Sequence, residues 1–297
     1  MRIGLVVLPQ MRWAEAAKRW RAVEDLGFDH AWTYDHLAWQ NLADEPWFAT
    51  IPTLTAAATV TTRIRLGTWV ASPNFRHPVP FAKELMTLDD VSAGRLILGV
   101  GAGGPGWDAD VLGAPQPTPG ARVERLDAFV TMLDALLTSG ETTASHPPYA
   151  AVRARMHPGP VQQPRPPFVI AANGPRAVRV AVRLAARPGD GWATTGVTAA
   201  EDGQEAWWAG IREVVARVDG ACAAASRDPG SLDRYLNLDS GATYSLSSLE
   251  SFRDGVGRAR QLGFTDVIAH WPRASKRYVG NEAVLEAVAA DLPALRR

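Results

Sequence analysis

The run Tyr34-Asp35-His36-Leu37-Ala38-Trp39 sets a carboxylate beside an imidazole and closes on an indole. A histidine exchanges protons near neutral pH and a neighbouring carboxylate can hold its tautomer, so His36, oriented by Asp35, is the first candidate for acid–base chemistry. Asp108 and Asp110 form a second pair, readable as acid–base groups or as a solvated turn. His77 stands directly before Pro78, where a helix starts, and His270 sits in an apolar run where it can simply pack.

Gly99-Val100-Gly101-Ala102-Gly103-Gly104 matches the G-x-G-x-x-G dinucleotide pattern, but Pro105-Gly106-Trp107-Asp108 follows where that pattern requires a helix. The run reads instead as a glycine-rich floor, in which Gly101, Ala102 and Gly103 let a planar ligand approach the backbone. Asn173-Gly174-Pro175-Arg176 puts a proline at the first position of a helix and exposes backbone N–H groups of Gly174 and Arg176. With Arg176 and Arg179 adding charge and Thr194, Thr195 and Gly196 adding donors, the segment is either a phosphate site or a plain helix start. Trp39, Trp47, Trp69, Trp107, Trp192 and Trp271 fall at or beyond the ends of apolar runs and suggest a pocket for a flat aromatic ligand.

Other chemistries find little support. There is no H-E-x-x-H and no G-x-S-x-G, no metal site is expected, and Lys276 is the one faint Schiff-base candidate. Cys222 is the sole cysteine, which rules out an intramolecular disulfide and a cysteine-rich metal centre and suits a cytoplasmic protein. The balance of 31 Lys+Arg against 31 Asp+Glu provides no net field for nucleic acid or an anionic membrane. No apolar stretch reaches the roughly 18 to 20 residues of a membrane span, and Met1 to Pro9 reads as a strand rather than a leader.

These groups need a scaffold that brings loops together. Eight short apolar runs, Arg2–Leu8, Asp29–Tyr34, Ile64–Ala71, Arg95–Gly101, Phe168–Ala172, Gly191–Thr195, Arg234–Ser240 and Asp266–Trp271, read as strands covered on both faces. Segments of helical spacing alternate with them: Trp13–Leu26, Thr53–Thr62, Val79–Val91, Ala121–Leu137, Pro175–Ala186, Glu201–Ala225, Leu246–Leu262 and Asn281–Leu292. Strict alternation predicts an α/β fold, a (β/α)8 TIM barrel formed by residues 1–297 as one domain, whose chemistry lies at the C-terminal ends of its strands. The proline-rich stretch 139–167 is expected as an insertion after the fourth helix, a small hairpin or a lid.

The segments LGFDHAWTYDHL (26–37), TRIRLGTWVASPNFRHPVPFAKELMTLDDVSAGRLILGVGAG (62–103) and PPFVIAANGPRAVRVAVRLAARPGDGWATTG (166–196) resemble the bacterial luciferase-like monooxygenases, a family of FMN-dependent and coenzyme F420-dependent oxidoreductases. The resemblance spans nearly the whole chain. It implies a flavin or deazaflavin ring at the barrel mouth, backed by a non-prolyl cis peptide that falls between Trp69 and Val70. It implies that Ala171, Ala172, Asn173, Gly174, Arg176 and Thr195 hold the cofactor's phosphate and side chain, with His36 beside the reactive face. Trp39, Trp107 and Trp271 are then expected on the substrate side.

Two departures carry information. Ala102 stands where FMN-binding branches place an arginine, and Gly104 where the F420-dependent sugar-phosphate dehydrogenases place a glutamate. The resemblance therefore implies an oxidoreductase of a small organic substrate, by hydride transfer or O2-dependent monooxygenation, with F420 favoured slightly over FMN, and it favours a homodimer. A non-catalytic flavin-binding protein of the same fold and a cofactor-free lyase or isomerase using Asp108, Asp110 and His36 are the rival readings.

Overall fold

The computed structural model describes residues 1–39, 42–104 and 107–297, the side chain of Trp107 excepted. Strands β1 (Arg2–Val6), β2 (His30–Thr33), β3 (Arg65–Thr68) and β4 (Leu96–Gly101) precede a hairpin, β5 (Glu141–His146) and β6 (Tyr149–Arg155). Strands β7 (Phe168–Ala171), β8 (Gly191–Thr194), β9 (Asp233–Asn237) and β10 (Asp266–His270) follow it. The eight strands other than the hairpin are parallel and close into a barrel, β10 returning to β1 with Arg2 opposite Asp266 and Val6 opposite His270. The (β/α)8 barrel expected from alternation is the fold observed.

Helices α1 (Trp13–Asp25), α2 (Thr50–Val60), α3 (Pro78–Val91), α4 (Trp107–Val111), α5 (Pro119–Thr138), α6 (Pro175–Leu184), α7 (Gln204–Ala224), α8 (Leu249–Gln261) and α9 (Glu282–Leu295) run between and after the strands. Helix starts carry the expected chemistry: Thr118, Ser248 and Asn281 side chains accept the first-turn N–H groups of α5, α8 and α9, and His77 Nδ1 does so for α3. Among the described residues no helix is long and apolar enough to cross a membrane.

Each strand serves two cores by its period of two. Val6, Trp32, Trp69, Ile97, Val169, Ala193, Tyr235 and Ile268 cluster inside the barrel. Their neighbours Leu5, Ala31, Leu98, Ile170, Trp192, Leu236 and Val267 join the layer between strands and helices. The parity decides which loop residues reach the mouth.

The pole opposite the mouth is fully wired. Asp266 accepts from Arg2 Nε and Nη2 at 2.8 and 2.7 Å and from Thr265 Oγ1 at 2.6 Å, and faces His30 Nε2 at 3.1 Å. Trp32 Nε1 donates to the other ring nitrogen of His30 at 2.6 Å. Arg165, buried, lies over the Phe168 ring and pairs with Asp190 at 2.8 Å, anchoring the return of the 139–167 stretch. That stretch contains the hairpin: it rests on α5, with Tyr149 against Phe129, and Tyr149 Oη donates to Pro73 O at 3.1 Å.

Candidate active site at the barrel mouth

Continuing the alternation past β2 turns Tyr34 and His36 toward the barrel axis and Asp35 away from it. The structure follows this, and the expected pairing of His36 with Asp35 is corrected. Both Asp35 oxygens are taken by Arg76, from Nε at 2.6 Å and Nη2 at 2.7 Å, a bidentate clasp that fixes the loop before α3. The partner of His36 is Asp108: its Oδ2 lies 2.8 Å from Nδ1 and its Oδ1 accepts the Leu37 N–H at 2.8 Å. Asp108 is buried on the short helix α4, whereas Asp110, two residues on, is exposed and bonded to Gln116. Acid–base partner and solvated residue are thus both present in that pair.

The His36 ring stacks on Trp39 with centroids 4.5 Å apart, and Trp47 Nε1 donates to His36 O at 2.8 Å. With the carboxylate of Asp108 on Nδ1, that nitrogen carries the proton and Nε2 is left basic; among the described residues Nε2 has no hydrogen-bond partner. A half-buried imidazole oriented by a carboxylate and braced by two indoles can accept or donate one proton at the mouth.

The floor lies beside it. The Trp69–Val70 peptide bond is cis, as the resemblance implied. Gly99 and Gly101 occupy inward positions of β4: a Cβ on Gly99 would stand 2.1 Å from Thr68 O, and one on Gly101 2.9 Å from Val70 Cγ2. Only glycine allows the β3 end to lie this close, so the glycine-rich run is a floor and not a dinucleotide turn. Ala171 joins the inner cluster next to Val70. Beyond them Gly103 has φ +71° and faces Asn74, whose amide nitrogen donates to Ala102 O while its Oδ1 is buried with no partner. A buried acceptor without a donor fits the N–H edge of a planar ring.

At the other end of the floor, Gly174 begins α6 without a side-chain cap, with Pro175 in the first turn. Asn173 Nδ2 donates to Thr195 Oγ1 at 3.0 Å, and Thr194 Oγ1 donates to Asn173 Oδ1 at 2.6 Å, tying the loops after β7 and β8 together beside that helix end. Arg176, exposed, pairs with Glu124 at 2.7 Å. Ala172 is a correction: its N–H goes to Ala193 O, its carbonyl accepts Trp192 Nε1 at 2.7 Å and its side chain packs with the helical layer, leaving nothing for a ligand.

Parity also corrects the tryptophans. Trp271, like Trp192, points outward: its indole lies under Arg19 at 4.9 Å and Nε1 donates to Glu282 at 2.9 Å. Trp39 and Trp69 do face the mouth. The Trp107 side chain, expected with them, lies outside the described residues. Lys276 pairs with Glu45, which also accepts from Gln10 and Arg273, so one carboxylate joins the loops after β1, β2 and β10. Residues that sequence reasoning did not single out for the site are Asn74, Asp239, Tyr244 and Tyr278. Asn74, Tyr244 and Tyr278 lie in loops, where no periodicity marks them, and Asp239 lies in a one-turn helix after β9, at the end of the run Arg234–Ser240.

Three comparisons bear on identity. A family model described as luciferase-like monooxygenase matches residues 1–240. An F420-dependent glucose-6-phosphate dehydrogenase of Amycolatopsis mediterranei is 34% identical over 175 residues, 58% of this chain and 50% of that protein. An uncharacterised protein of Mycobacterium tuberculosis is 32% identical over 237 residues, 78% of this chain and 71% of that one. The chain thus spans about half the length of the glucose-6-phosphate dehydrogenase it matches. Among solved structures, an F420-dependent secondary alcohol dehydrogenase in complex with an F420-acetone adduct superposes with a TM-score of 0.81 at 16% identity, covering 100% of this chain and 99% of that one, which supports the fold.

Proposed function

The chain belongs to the luciferase-like monooxygenase family, and from that membership we propose that it is an oxidoreductase that binds a deazaflavin or flavin at the barrel mouth and moves hydride between it and a small organic substrate. Coenzyme F420 is the preferred cofactor, on the names of its curated relatives and on Ala102 in place of the arginine of FMN-binding branches. The observation that carries the reading is the His36–Asp108 pair standing over a glycine floor with an unpartnered buried acceptor, Asn74 Oδ1.

The residues fit such a group along its length. Gly99 and Gly101 let Val70 and Ala171 pack into a low floor for a flat ring, Asn74 Oδ1 offers an acceptor to its N–H edge, and Gly174 with Thr195 receives an anionic side chain at the start of α6. When bound, the ring supplies the hydride chemistry. His36 holds or releases a proton at Nε2 and stabilises charge as it develops nearby, Asp108 holds the imidazole's tautomer, Trp39 covers one face of the ring, and Trp47 fixes the His36 backbone carbonyl.

Separate titrations of the purified protein with F420 and with FMN, read by quenching of tryptophan fluorescence, test this. Tight binding of F420 alone is the expected result. Binding of FMN alone moves the reading to O2-dependent monooxygenation, and binding of neither overturns it in favour of the cofactor-free barrel. The same proposal takes residues 1–297 as one domain and the protein as a cytoplasmic homodimer, checked by light scattering of the holoprotein.

A further inference from the structure

Four side chains at the mouth form a chain of hydrogen bonds that the reading above leaves unused. Asp239 Oδ2 accepts the backbone N–H of His270 at 2.6 Å and faces its Nδ1 at 2.9 Å, while Oδ1 accepts the Ser245 N–H at 2.8 Å. His270 Nε2 lies 2.8 Å from Tyr34 Oη, which lies 3.1 Å from Tyr278 Oη. The Tyr278 ring covers the imidazole face to face at 3.7 Å. Both tyrosines belong to the inner cluster that includes Trp69 and is flanked by Trp39.

Burial gives the chain a direction. His270 is fully buried, Asp239 4% and Tyr34 5% exposed, and Tyr278 is the outermost at 9%. The groups facing His270 are Tyr34 just past β2, Asp239 from the turn after β9, Tyr244, whose Oη donates to the His270 carbonyl at 2.7 Å, and Arg277 and Tyr278 from the loop after β10. Desolvation holds the imidazole below the ordinary histidine range although Asp239 opposes it, and desolvation keeps both phenols protonated. A neutral imidazole that donates Nδ1–H to Asp239 has its lone pair on Nε2, so Tyr34 donates to it and Tyr278 donates to Tyr34. Every proton points inward from Tyr278. Such a chain takes up a proton at its outer end: Tyr278 Oη receives one, its own passes to Tyr34, and that of Tyr34 passes to Nε2, leaving an imidazolium against the Asp239 carboxylate. Carboxylate, imidazole and hydroxyl in this order are the arrangement by which a hydroxyl is made to exchange its proton.

We propose that Asp239, His270, Tyr34 and Tyr278 are a proton-accepting relay for an alcohol substrate, which is interconverted with its carbonyl compound. The inference rests on the hydride-transfer reading. The carbinol C–H bond breaks with its electron pair going to the oxidised deazaflavin or flavin, the O–H bond breaks with its proton going to Tyr278, and the C=O bond forms. Tyr278 is the group that meets the substrate; Tyr34, His270 and Asp239 act through it.

Two measurements test it. In protein labelled with 15N-histidine, NMR should show His270 neutral and protonated on Nδ1 at pH 7, and Tyr278→Phe, which keeps the stacked ring, should move the Nε2 resonance downfield as the cooperative bond from Tyr34 weakens. A residue that merely packs gives an Nε2 signal indifferent to this change, and that result, or protonation on Nε2, overturns the relay. In the F420-loaded enzyme with propan-2-ol and longer secondary alcohols, Tyr278→Phe and Tyr34→Phe should each lower kcat by about 10²-fold or more with F420 affinity retained, and should abolish the acid limb of the pH profile set by His270. Unchanged pH profiles overturn the relay. A wild-type protein that binds F420 but leaves it unreduced by every alcohol overturns the alcohol assignment, and one that binds neither F420 nor FMN overturns the hydride-transfer reading itself, whatever the NMR result.

Discussion

His30 and His36 each face an aspartate, one at the closed pole of the barrel and one at its mouth, and their surroundings differ in kind. At the pole both imidazole nitrogens are used, by Asp266 and by Trp32, and Asp266 is further held by Arg2 and Thr265. At the mouth Asp108 takes one nitrogen of His36 and the described structure gives the other no partner. The side chains are 2% and 12% exposed respectively. A saturated pair contributes only to holding the fold, whereas a pair with one valence left over can act on something else. Single unpartnered buried atoms do not follow the same divide: Asn74 Oδ1 and Trp39 Nε1 lie on the mouth side, but Trp20 Nε1 lies in the layer between strands and helices.

The largest expected effect breaks the pole. Asp266→Ala strips the buried His30 of its carboxylate, while Arg2, exposed, keeps Asp233; the loss should cost about 3–5 kcal/mol in urea unfolding, with F420 affinity per folded molecule unchanged. If it costs under about 1 kcal/mol, the pole is not the stability centre this contrast makes it.

At the mouth the order of effects should invert. His36→Ala should reduce turnover by about 10²-fold while F420 affinity and the unfolding midpoint stay near wild type, and Asp108→Asn should do the same more weakly by loosening the imidazole. Loss of cofactor binding with normal turnover of the remaining holoenzyme would reject the role given to His36.

Acid should separate the regions. His270 is held below its ordinary value by burial, so the folded protein keeps it neutral while the unfolded chain protonates it; stability from this site is complete above about pH 6.5 and declines as pH falls below it. Desolvation pushes Asp266 upward, but its bonds to His30 and Arg2 outweigh this and hold it below the ordinary aspartate value. Its contribution therefore persists to about pH 4 and is lost as pH falls further. Urea midpoints against pH should show two declines, and His270→Gln should remove the upper one. The smallest effect is expected at Arg176, exposed in its pair with Glu124: Arg176→Ala should change stability by less than about 0.5 kcal/mol while weakening binding of the anionic cofactor.

Much of this was legible in the residues. The eight apolar runs and their helices follow from periodicity, and the floor follows from glycine spacing. Asp35 and Trp271 depart from expectation for a common reason: each lies close in sequence to a strand end, but the period of two sends Asp35 to Arg76 and Trp271 to Arg19. Counting that period forward from Ile268 through His270 would have turned Trp271 outward. The partnership of His36 with Asp108 spans 72 positions and depends on how a short helix folds back over the mouth, which no local pattern encodes. Asn74, Asp239 and Tyr278 share that difficulty.

The barrel is also a hoop whose seam is the pairing of its first and last strands, and Glu45 staples that seam at the rim by drawing Gln10, Arg273 and Lys276 onto one carboxylate. The staple is ionic while the hoop is hydrogen-bonded, so concentrated salt should slacken the rim without opening the seam. Hydrogen exchange would register this as faster opening of the loops around positions 42–48 and 273–278, with the amides of β1 and β10 as slow as before.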